Sequence, residues 1–485
     1  MKNLWVVGDS TLSGFHDKYY YPRYGYGTML AEYLDDEICV KNIALSGRSS
    51  KSYTTEPEYK TLLSGMQDGD FLIIGFGHND EKTEEERFTS GTGSYEEEGT
   101  FANSLYANYI VPAKNAGCNV ILCTPIVRRS ATGQWKAAEL HITGNTGKFT
   151  GGDYAGVIRD LGEVLDIPVV DMTSKTKEFY DTIGPENSIY LHAWPSDNPL
   201  SVDNTHTNIW GGRVNAYLCL RAVKALGIEG LSEHINVENE CFDDKLFAGE
   251  APVPSKDKYL VSNENYVPTV FNAELPNSRN WKDIGEWKGT VFGDVSEQPS
   301  MKNFILEQDT DENMHIAVRN NAGKIAAVSD GIAMYYREVP ADKRFVLKAK
   351  AVINDYFLND QVSFGLMARD DMYIDLVTSD ILGDYVAAAP LLLTHGENCV
   401  NCFARKSGVL TYGGVCTKQY KPGDEVYLSI ESTEDGYACT FGDEQTVTGG
   451  FDFKLTAVNP ESVYVGMFVS RNADVTFSEI SLTIM

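Results

Sequence analysis

The sequence has few basic residues, no long apolar run and no regular cysteine framework. Lysine and arginine total 41 against 69 aspartates and glutamates, which gives a net charge of −28 at pH 7. A surface this acidic repels phosphate and disfavours nucleic acid and anionic membranes as partners. No apolar run approaches the ~20 residues that a membrane-spanning helix needs. The nine cysteines are an odd number spread along the chain, which favours reduced thiols over disulfides.

The first residues do not have the pattern of a secretory signal peptide. A signal peptide needs an apolar run of ~7–15 residues, whereas the apolar run Leu4–Val7 is followed directly by Gly8. We therefore expect the protein to stay in the cytoplasm. Internal repeats and low-complexity segments are absent as well. The 485 residues are enough for roughly three domains of ~150 residues.

The first half of the chain alternates apolar runs with segments of helical periodicity. The predicted strands are Leu4–Val7, Ile38–Ile43, Phe71–Phe76, Asn119–Thr124 and Ile167–Val170, and the predicted helices are Tyr26–Leu34, Phe101–Ala116, Tyr154–Leu165 and Gly211–Leu226. Strands separated by helices favour an α/β fold, with a mostly parallel sheet and helices on both of its faces. In such sheets the functional site lies beyond the carboxyl ends of the strands.

The second half of the chain has a different pattern of apolar and turn residues. Short runs rich in valine, phenylalanine, tyrosine and isoleucine are separated by turn residues, which is typical of an antiparallel β-sandwich. Pro252 and Pro254 lie between the two halves in a stretch that reads as a linker. We therefore predict an α/β domain over residues 1–235, a linker over 236–271 and an all-β jelly-roll or β-sandwich domain over 272–485.

Four short polar segments carry the residues with catalytic chemistry. They are Gly8–Thr11, Asn42–Ser50 and Gly75–Asp80, which follow the first three strands, and Asp203–His206, which precedes the last helix. Gly8–Thr11 alone, where Gly8 lets the backbone turn, would be read as a turn or a helix cap. Because each segment adjoins a strand or a helix end, all four can meet at one rim. Together they supply a hydroxyl, an amide, glycine N–H groups, an imidazole and a carboxylate, which suits acyl transfer through a serine.

The order serine, glycine, asparagine and histidine in these surroundings resembles the SGNH branch of the GDSL hydrolases and, within it, the rhamnogalacturonan acetylesterase family. The shared stretches are GDST at 8–11, NIALSGRSS at 42–50, FGHND at 76–80, TPIVRR at 124–129 and DNTHTNIWGG at 203–212. The resemblance covers about residues 1–228, roughly half of the chain. It implies a flavodoxin-like three-layer domain and a serine esterase that needs neither a metal nor a cofactor.

The resemblance also implies a role for each matched residue. Ser10 would be the nucleophile, His206 the general base and Asp203 the group that orients the imidazole. The backbone N–H groups of Ser10 and Gly47 and the side-chain amide of Asn79 would form the oxyanion hole. Elementary chemistry agrees, because a serine hydroxyl is a poor nucleophile until a base takes its proton. A structural histidine at position 206 and a helix cap at position 203 are the alternatives.

Aromatic and basic side chains near these segments predict substrate contacts. Tyr19 and Tyr20 follow the nucleophile, and rings with polar tips stack well on sugar faces. Trp194 lies in the long segment 190–203, and long loops at a catalytic rim usually shape substrate binding. Arg48 either binds a substrate carboxylate or pairs with an internal acid.

These observations predict a carbohydrate O-acetylesterase that acts on acetylated oligosaccharides from plant cell walls. Pectin of the rhamnogalacturonan type is the first candidate, and xylan or mannan fragments come next. A lipolytic or thioesterase GDSL hydrolase is one alternative, although the sequence lacks the large apolar lid of an interfacial lipase. A carbohydrate-binding protein with a decayed catalytic site is the other.

The β-domain has three candidate roles: a carbohydrate-binding module, a wall of the cleft, or a dimerisation domain that forms a homodimer. Two of its segments invite a metal interpretation that we reject. Cys399, Cys402 and Cys416 with His395 do not have the spacing of a zinc finger. The acidic run Asp309–Asn313 is read as a solvated turn and not as a calcium loop.

Overall fold

The chain forms two compact units, and the boundary between them in the sequence falls between Phe271 and Asn272. The computed structural model describes residues 2–15, 20, 23–193, 202–237, 273–274, 281–295, 303–320, 322–325, 329–356, 361–393, 398–415, 420–442 and 447–485. Nearly all of the expected linker, 236–271, lies outside these residues.

A five-stranded parallel sheet forms the centre of the N-terminal unit. Its strands are β1 (Lys2–Gly8), β2 (Ile38–Asn42), β3 (Phe71–Gly75), β4 (Asn119–Cys123) and β5 (Val169–Val170). They lie in the order β2-β1-β3-β4-β5, which is the order of flavodoxin-like sheets. The predicted α/β class is therefore confirmed, with each predicted strand within two residues of its observed bounds.

Helices cover both faces of this sheet. They are α1 (Pro57–Gly65), α2 (Phe101–Leu105), α3 (Val111–Asn115), α4 (Tyr154–Leu165), α5 (Met172–Ser188) and α6 (Ile209–Leu226). Alternate strand residues point to opposite faces: Phe71 and Ile73 pack in the core with α5 and α6, whereas Leu72 and Ile74 pack in the core with α1 to α4. The unit thus has three layers with two separate cores.

The predicted helix over 26–34 is wrong in type. The segment forms two short 3₁₀ turns, Tyr26–Thr28 and Leu30–Tyr33. The cause is a close approach of backbones, because a Cβ atom on Gly27 would lie 2.5 Å from the carbonyl oxygen of Leu12. Short 3₁₀ turns accommodate such contacts more easily than a regular helix, in which glycine is also unfavourable.

The predicted helix over 101–116 is present with an irregular middle. A π-helical turn, Tyr106–Ile110, joins α2 to α3. Pro112 in α3 has no N–H to donate to the carbonyl of Asn108, so that carbonyl accepts the hydroxyl of Tyr59 at 2.8 Å instead. The sequence reading missed helices α1 and α5.

The C-terminal unit is built from β-strands. They are β6 (Ala273–Glu274), β7 (Lys288–Gly293), β8 (Phe304–Gln308), β9 (Met314–Val318), β10 (Gly331–Pro340), β11 (Phe345–Tyr356), β12 (Ser363–Arg369), β13 (Leu376–Val377), β14 (Tyr385–Leu393), β15 (Asn398–Lys406), β16 (Val409–Val415), β17 (Glu425–Ser432), β18 (Tyr437–Gly442), β19 (Val447–Phe451), β20 (Ser462–Ser470) and β21 (Ala473–Ile484). A nine-stranded sheet has the order β16-β15-β14-β12-β20-β10-β7-β13-β6, and a seven-stranded sheet has the order β19-β18-β17-β11-β21-β9-β8.

The two sheets of the C-terminal unit face each other. Phe364 on β12 of the larger sheet lies 6.3 Å from Phe441 on β18 and 5.4 Å from Tyr356 on β11, measured between ring centroids. Both partners belong to the smaller sheet, so the rings form part of a core between two layers. The predicted β-sandwich is therefore confirmed. Among the described residues, no helix is long and apolar enough to cross a membrane.

Candidate active site

Three of the four polar segments follow neighbouring strands of the parallel sheet. Strand β1 lies between β2 and β3, so the segments after these strands share one edge. Two hydrogen bonds tie them together: the N–H of Leu45 donates to the carbonyl of Gly8 at 3.1 Å, and the N–H of His78 donates to Asp9 Oδ2 at 3.3 Å. The edge is also where the chain order of the sheet reverses, the usual place for a site in this fold.

Ser10 comes directly after β1 in a tightly held turn. Asp9 Oδ1 accepts the N–H of Thr11 at 3.0 Å and its hydroxyl at 2.8 Å. Gly8 is required for space and not for a turn, since its φ is not positive and a Cβ there would lie 2.5 Å from the carbonyl oxygen of Gly75. Burial raises the pKa of Asp9. This carboxyl therefore stabilises the turn through its hydrogen bonds although its burial disfavours the charged form.

His206 joins the side chains of Ser10 and Asp203 into one hydrogen-bonded chain. Its Nε2 lies 2.9 Å from Ser10 Oγ, and its Nδ1 lies 2.8 Å from Asp203 Oδ2. Because a carboxylate only accepts, Nδ1 carries the proton and Nε2 is left to accept from the hydroxyl. The N–H of His206 also donates to Asp203 Oδ1 at 3.0 Å, which fixes the three-residue loop between them.

Arg23 shares the carboxylate of Asp203 with the histidine. Its Nη2 lies 2.8 Å from Asp203 Oδ2, and its guanidinium lies 5.4 Å from the ring centroid of Tyr20. Burial alone would raise the pKa of Asp203, but the charges and hydrogen bonds of His206, together with the charge of Arg23, hold that pKa far below its usual range. The carboxylate therefore stays ionised wherever the fold is stable.

A second histidine supports the same loop from inside the fold. His192 is fully buried, and its Nδ1 lies 2.8 Å from the carbonyl oxygen of Asp203. Its Nε2 lies 2.7 Å from the hydroxyl of Tyr180. Burial lowers the pKa of His192 to about 4, so the ring is neutral and donates from Nδ1 to the carbonyl.

Gly47 and Asn79 lie side by side at the neighbouring strand ends. Gly47 has a φ of +74°, a left-handed conformation that glycine adopts without strain. Asn79 Nδ2 donates to the carbonyl of Arg48 at 3.0 Å. Arg87 Nη1 donates to Asn79 Oδ1 at 3.2 Å and to the carbonyl of Gly47 at 3.4 Å. One guanidinium thus contacts both segments.

Of the four residues expected to contact substrate, the structure describes two, Arg48 and Tyr20. Arg48 is paired with Glu56, which favours the internal-acid alternative. Tyr20 is 7% exposed, and its ring lies 5.5 Å from Phe15, so it is mainly packed. Tyr19 and Trp194 lie outside the described residues.

The remaining polar residues of the FGHND segment are structural. Asp80 Oδ1 accepts the hydroxyl of Ser50 at 2.5 Å and that of Thr89 at 3.0 Å, and burial raises the pKa of Asp80 to about 7. The ring of His78 packs edge-on against that of His141, with 4.4 Å between the ring centroids, and among the described residues neither of its ring nitrogens has a hydrogen-bond partner.

The described residues contain no three His, Cys, Asp or Glu side chains grouped to hold a metal ion. Asp309 Oδ1 accepts the N–H groups of Asp311 and Asn313, each at 2.9 Å, which is the behaviour of a turn. His395 and Cys416 of the rejected zinc interpretation lie outside the described residues.

Sequence reasoning missed Arg23, Arg87 and His192 as members of the site. Arg23 contacts Asp203 from a distant part of the chain, whereas His192 precedes Asp203 by 11 residues; no local pattern pairs either residue with it. Arg87 follows the FGHND segment within a few residues, and this proximity is the one signal that could have drawn attention to it.

Comparison with known proteins finds relatives that match parts of the chain. Rhamnogalacturonan acetylesterase RhgT of Bacillus subtilis (strain 168) is 29% identical over 240 residues, which cover 48% of this chain and 93% of that protein. Pectate lyase L of Thermoclostridium stercorarium is 29% identical over 220 residues, 45% of this chain and 16% of that protein. The family model for the N-terminal domain of pectate disaccharide-lyases matches residues 295–373.

Among solved structures, the crystal structure of YxiM from Bacillus subtilis is similar to this chain. The match has 22% identity and a TM-score of 0.38, and it covers 47% of this chain and 58% of the YxiM chain.

Proposed function

We propose that this protein, whose N-terminal half is related to the SGNH hydrolases of the rhamnogalacturonan acetylesterase family, is a carbohydrate O-acetylesterase. The observation that carries the proposal is the hydrogen-bonded chain from Ser10 Oγ through His206 to Asp203, with contacts of 2.9 and 2.8 Å. This arrangement is what a serine hydroxyl needs to act as a nucleophile near neutral pH.

In the first half of the reaction, Ser10 takes the acetyl group from the sugar. Its Oγ bonds to the ester carbonyl carbon while its proton passes to His206 Nε2, and the carbonyl electron pair moves onto oxygen. The resulting oxyanion is bound by the N–H groups of Ser10 and Gly47 and by the amide of Asn79. When the intermediate collapses, the C–O bond to the sugar breaks, and the sugar oxygen takes the proton from His206.

In the second half, water removes the acetyl group from Ser10. His206 accepts a proton from the water as its oxygen bonds to the acetyl carbon, and the same oxyanion hole binds the second tetrahedral intermediate. Collapse returns the proton to Ser10 Oγ and releases acetic acid, which ionises to acetate. Asp203 stays ionised throughout and stabilises each imidazolium that forms.

The substrate that we propose is an acetylated oligosaccharide of the pectin type, with rhamnogalacturonan first and xylan or mannan fragments next. The names of the relatives support this order: one is a rhamnogalacturonan acetylesterase and another is a pectate lyase. The match of residues 295–373 to a domain of pectate disaccharide-lyases supports the same substrate class for the second half of the chain.

The proposal is tested by acetate release from a panel of acetylated oligosaccharides and from nitrophenyl acetate. We expect the wild type to release acetate and Ser10→Ala to lose at least about 10³-fold in kcat, since the nucleophile is gone. The matched control is Ser64→Ala in helix α1, whose exposed hydroxyl contacts only the carbonyl of Thr61 among the described residues.

Three results would contradict the proposal. Undiminished turnover by Ser10→Ala would remove this residue from the mechanism. A preference for acyl chains longer than butyryl would favour the lipolytic or thioesterase alternative. Binding of the oligosaccharides without acetate release would favour a sugar-binding protein with an inactive site.

A further inference from the structure

The side-chain amide of Asn79 has two protein neighbours with opposite hydrogen-bonding character. On one side is the carbonyl of Arg48, which can only accept and lies 3.0 Å from Nδ2. On the other side is the guanidinium of Arg87, which can only donate and lies 3.2 Å from Oδ1. Asn79 is 7% exposed, so water cannot readily replace either neighbour.

These two neighbours select one of the two possible orientations of the amide. If the amide turned over, its NH₂ group would face the N–H groups of Arg87 and its oxygen would face the carbonyl of Arg48. Both contacts would then be repulsive, and the amide would lose both of its protein partners. In the observed orientation, one N–H of Nδ2 binds Arg48 and the second N–H remains to bind a developing oxyanion.

Arg87 also contacts the second segment that would form the oxyanion hole. The same Nη1 that holds Asn79 donates to the carbonyl of Gly47 at 3.4 Å. Glu84 in turn accepts from Arg87 Nε at 2.8 Å and holds the guanidinium on its outer side. The side chain of Arg87 is 26% exposed and that of Glu84 is 50% exposed, so the guanidinium links an exposed carboxylate to a buried amide.

We propose that Arg87 is a positioning residue of the esterase site, which acts by holding the amide of Asn79 in the orientation that donates to the oxyanion. This inference rests on the proposed function, because it gives Arg87 a role in the same reaction. Arg87 itself does not touch the reacting atoms. Its contribution is realised in the transition state, where the oxyanion forms, and not in the binding of the ester.

The test compares Arg87→Met with the wild type in the full chain, using nitrophenyl acetate. Methionine keeps an unbranched side chain but cannot donate, so either orientation of the amide becomes accessible. We expect kcat to fall about 10- to 100-fold with KM changed by less than about twofold, somewhat below the cost of removing an oxyanion donor outright. The matched control is Arg213→Met, since Arg213 pairs with Glu32 on the surface at 3.0 Å; this variant should keep kcat within about twofold of the wild type.

A double-mutant cycle with Asn79→Ala separates this role from a merely structural one. If Arg87 acts through Asn79, adding Arg87→Met to Asn79→Ala should lower kcat little further. If Arg87→Met proves too unstable, as judged by its thermal midpoint, Arg87→Lys keeps a donor that reaches Asn79 and should retain more activity than Arg87→Met.

An unchanged kcat in Arg87→Met, or fully additive losses in the double variant, would overturn the inference about Arg87. Neither result would affect the proposed function, which is contradicted instead by an active Ser10→Ala, by a preference for acyl chains longer than butyryl, or by oligosaccharide binding without acetate release.

Discussion

The carboxylate of Asp203 accepts hydrogen bonds from two side chains, and this sharing has a consequence for activity. Its Oδ2 accepts from His206 Nδ1 and from Arg23 Nη2, each at 2.8 Å. The guanidinium of Arg23 thus helps to hold the carboxylate beside the imidazole ring of His206.

We predict that Arg23→Gln lowers kcat for nitrophenyl acetate about 3- to 10-fold. Asp203 loses its ion pair with Arg23 at 2.8 Å, so its carboxylate orients the imidazole of His206 less firmly. The measurement is the turnover of nitrophenyl acetate by each variant. Arg213→Gln is the control, since Arg213 pairs with Glu32 on the surface at 3.0 Å; an unchanged kcat in Arg23→Gln would contradict the prediction.

How far single residues can be predicted depends on where their partners lie in the sequence. Ser10, Asp203 and His206 stand in short segments whose residue types already suggest acyl transfer. Arg23 and Arg87 are ordinary arginines until the fold brings them to a carboxylate and an amide. An arginine in an isolated sequence gives no indication of its partner, because salt bridges form across any sequence separation.

Among the strands and helices, the connection between β2 and β3 depends on a buried acid. Asp80 follows β3. Both of its carboxyl oxygens accept the N–H of Ser50, each at 3.1 Å. Ser50 lies after β2, so this carboxyl joins the two segments that carry Gly47 and Asn79. Because burial raises the pKa of Asp80 to about 7, the native state binds its proton more tightly than the unfolded chain does.

This raised pKa predicts a pH dependence of stability. The stabilisation from the protonated acid is complete below the ordinary aspartate pKa and is lost as the pH rises through about 7, with a slope of about 1 kcal/mol per pH unit in the free energy of unfolding. Asp80→Asn removes this contribution. As the pH is raised, we expect the thermal midpoint of the wild type to fall relative to that of Asp80→Asn. A difference that is constant with pH would contradict this.

The strands were easier to predict than the helices for a physical reason. Buried parallel strands are continuous apolar runs, and Phe71–Gly75 is such a run with every residue buried. Helix α5 is largely polar along its length, and Gly184 and Pro185 interrupt it. It is stabilised by packing on the sheet, which local periodicity does not reveal.

For the chain as a whole, separate cores predict separate folding. Among the described residues, the apolar core clusters of the N-terminal unit end at Val237, and the cluster in the other unit begins at Phe292. Residues 1–271 should therefore fold alone and hydrolyse nitrophenyl acetate with a kcat/KM within about threefold of the full chain. We expect deacetylation of oligosaccharides to be impaired.

The measurements are the thermal midpoint of the truncated protein and its rates on both kinds of substrate. A truncated protein that fails to fold would contradict the independence of the two cores. Full activity on oligosaccharides would mean that residues 272–485 take no part in handling the substrate. The sequence predicts two domains, because the pattern of apolar residues changes from alternating strands and helices to short strands alone. It gives no indication of what the second domain does, because a β-sandwich accommodates many unrelated functions.

The pairing of Gly8 with Gly75 carries a lesson for protein engineering. The strand that precedes Ser10 runs so close to its neighbour that even a methyl group at Gly8 would collide with backbone. Anyone who transfers the candidate site to another scaffold must therefore copy these two glycines, although neither has a side chain that could react. A design that keeps only the polar residues would lose the strand spacing that sets their positions.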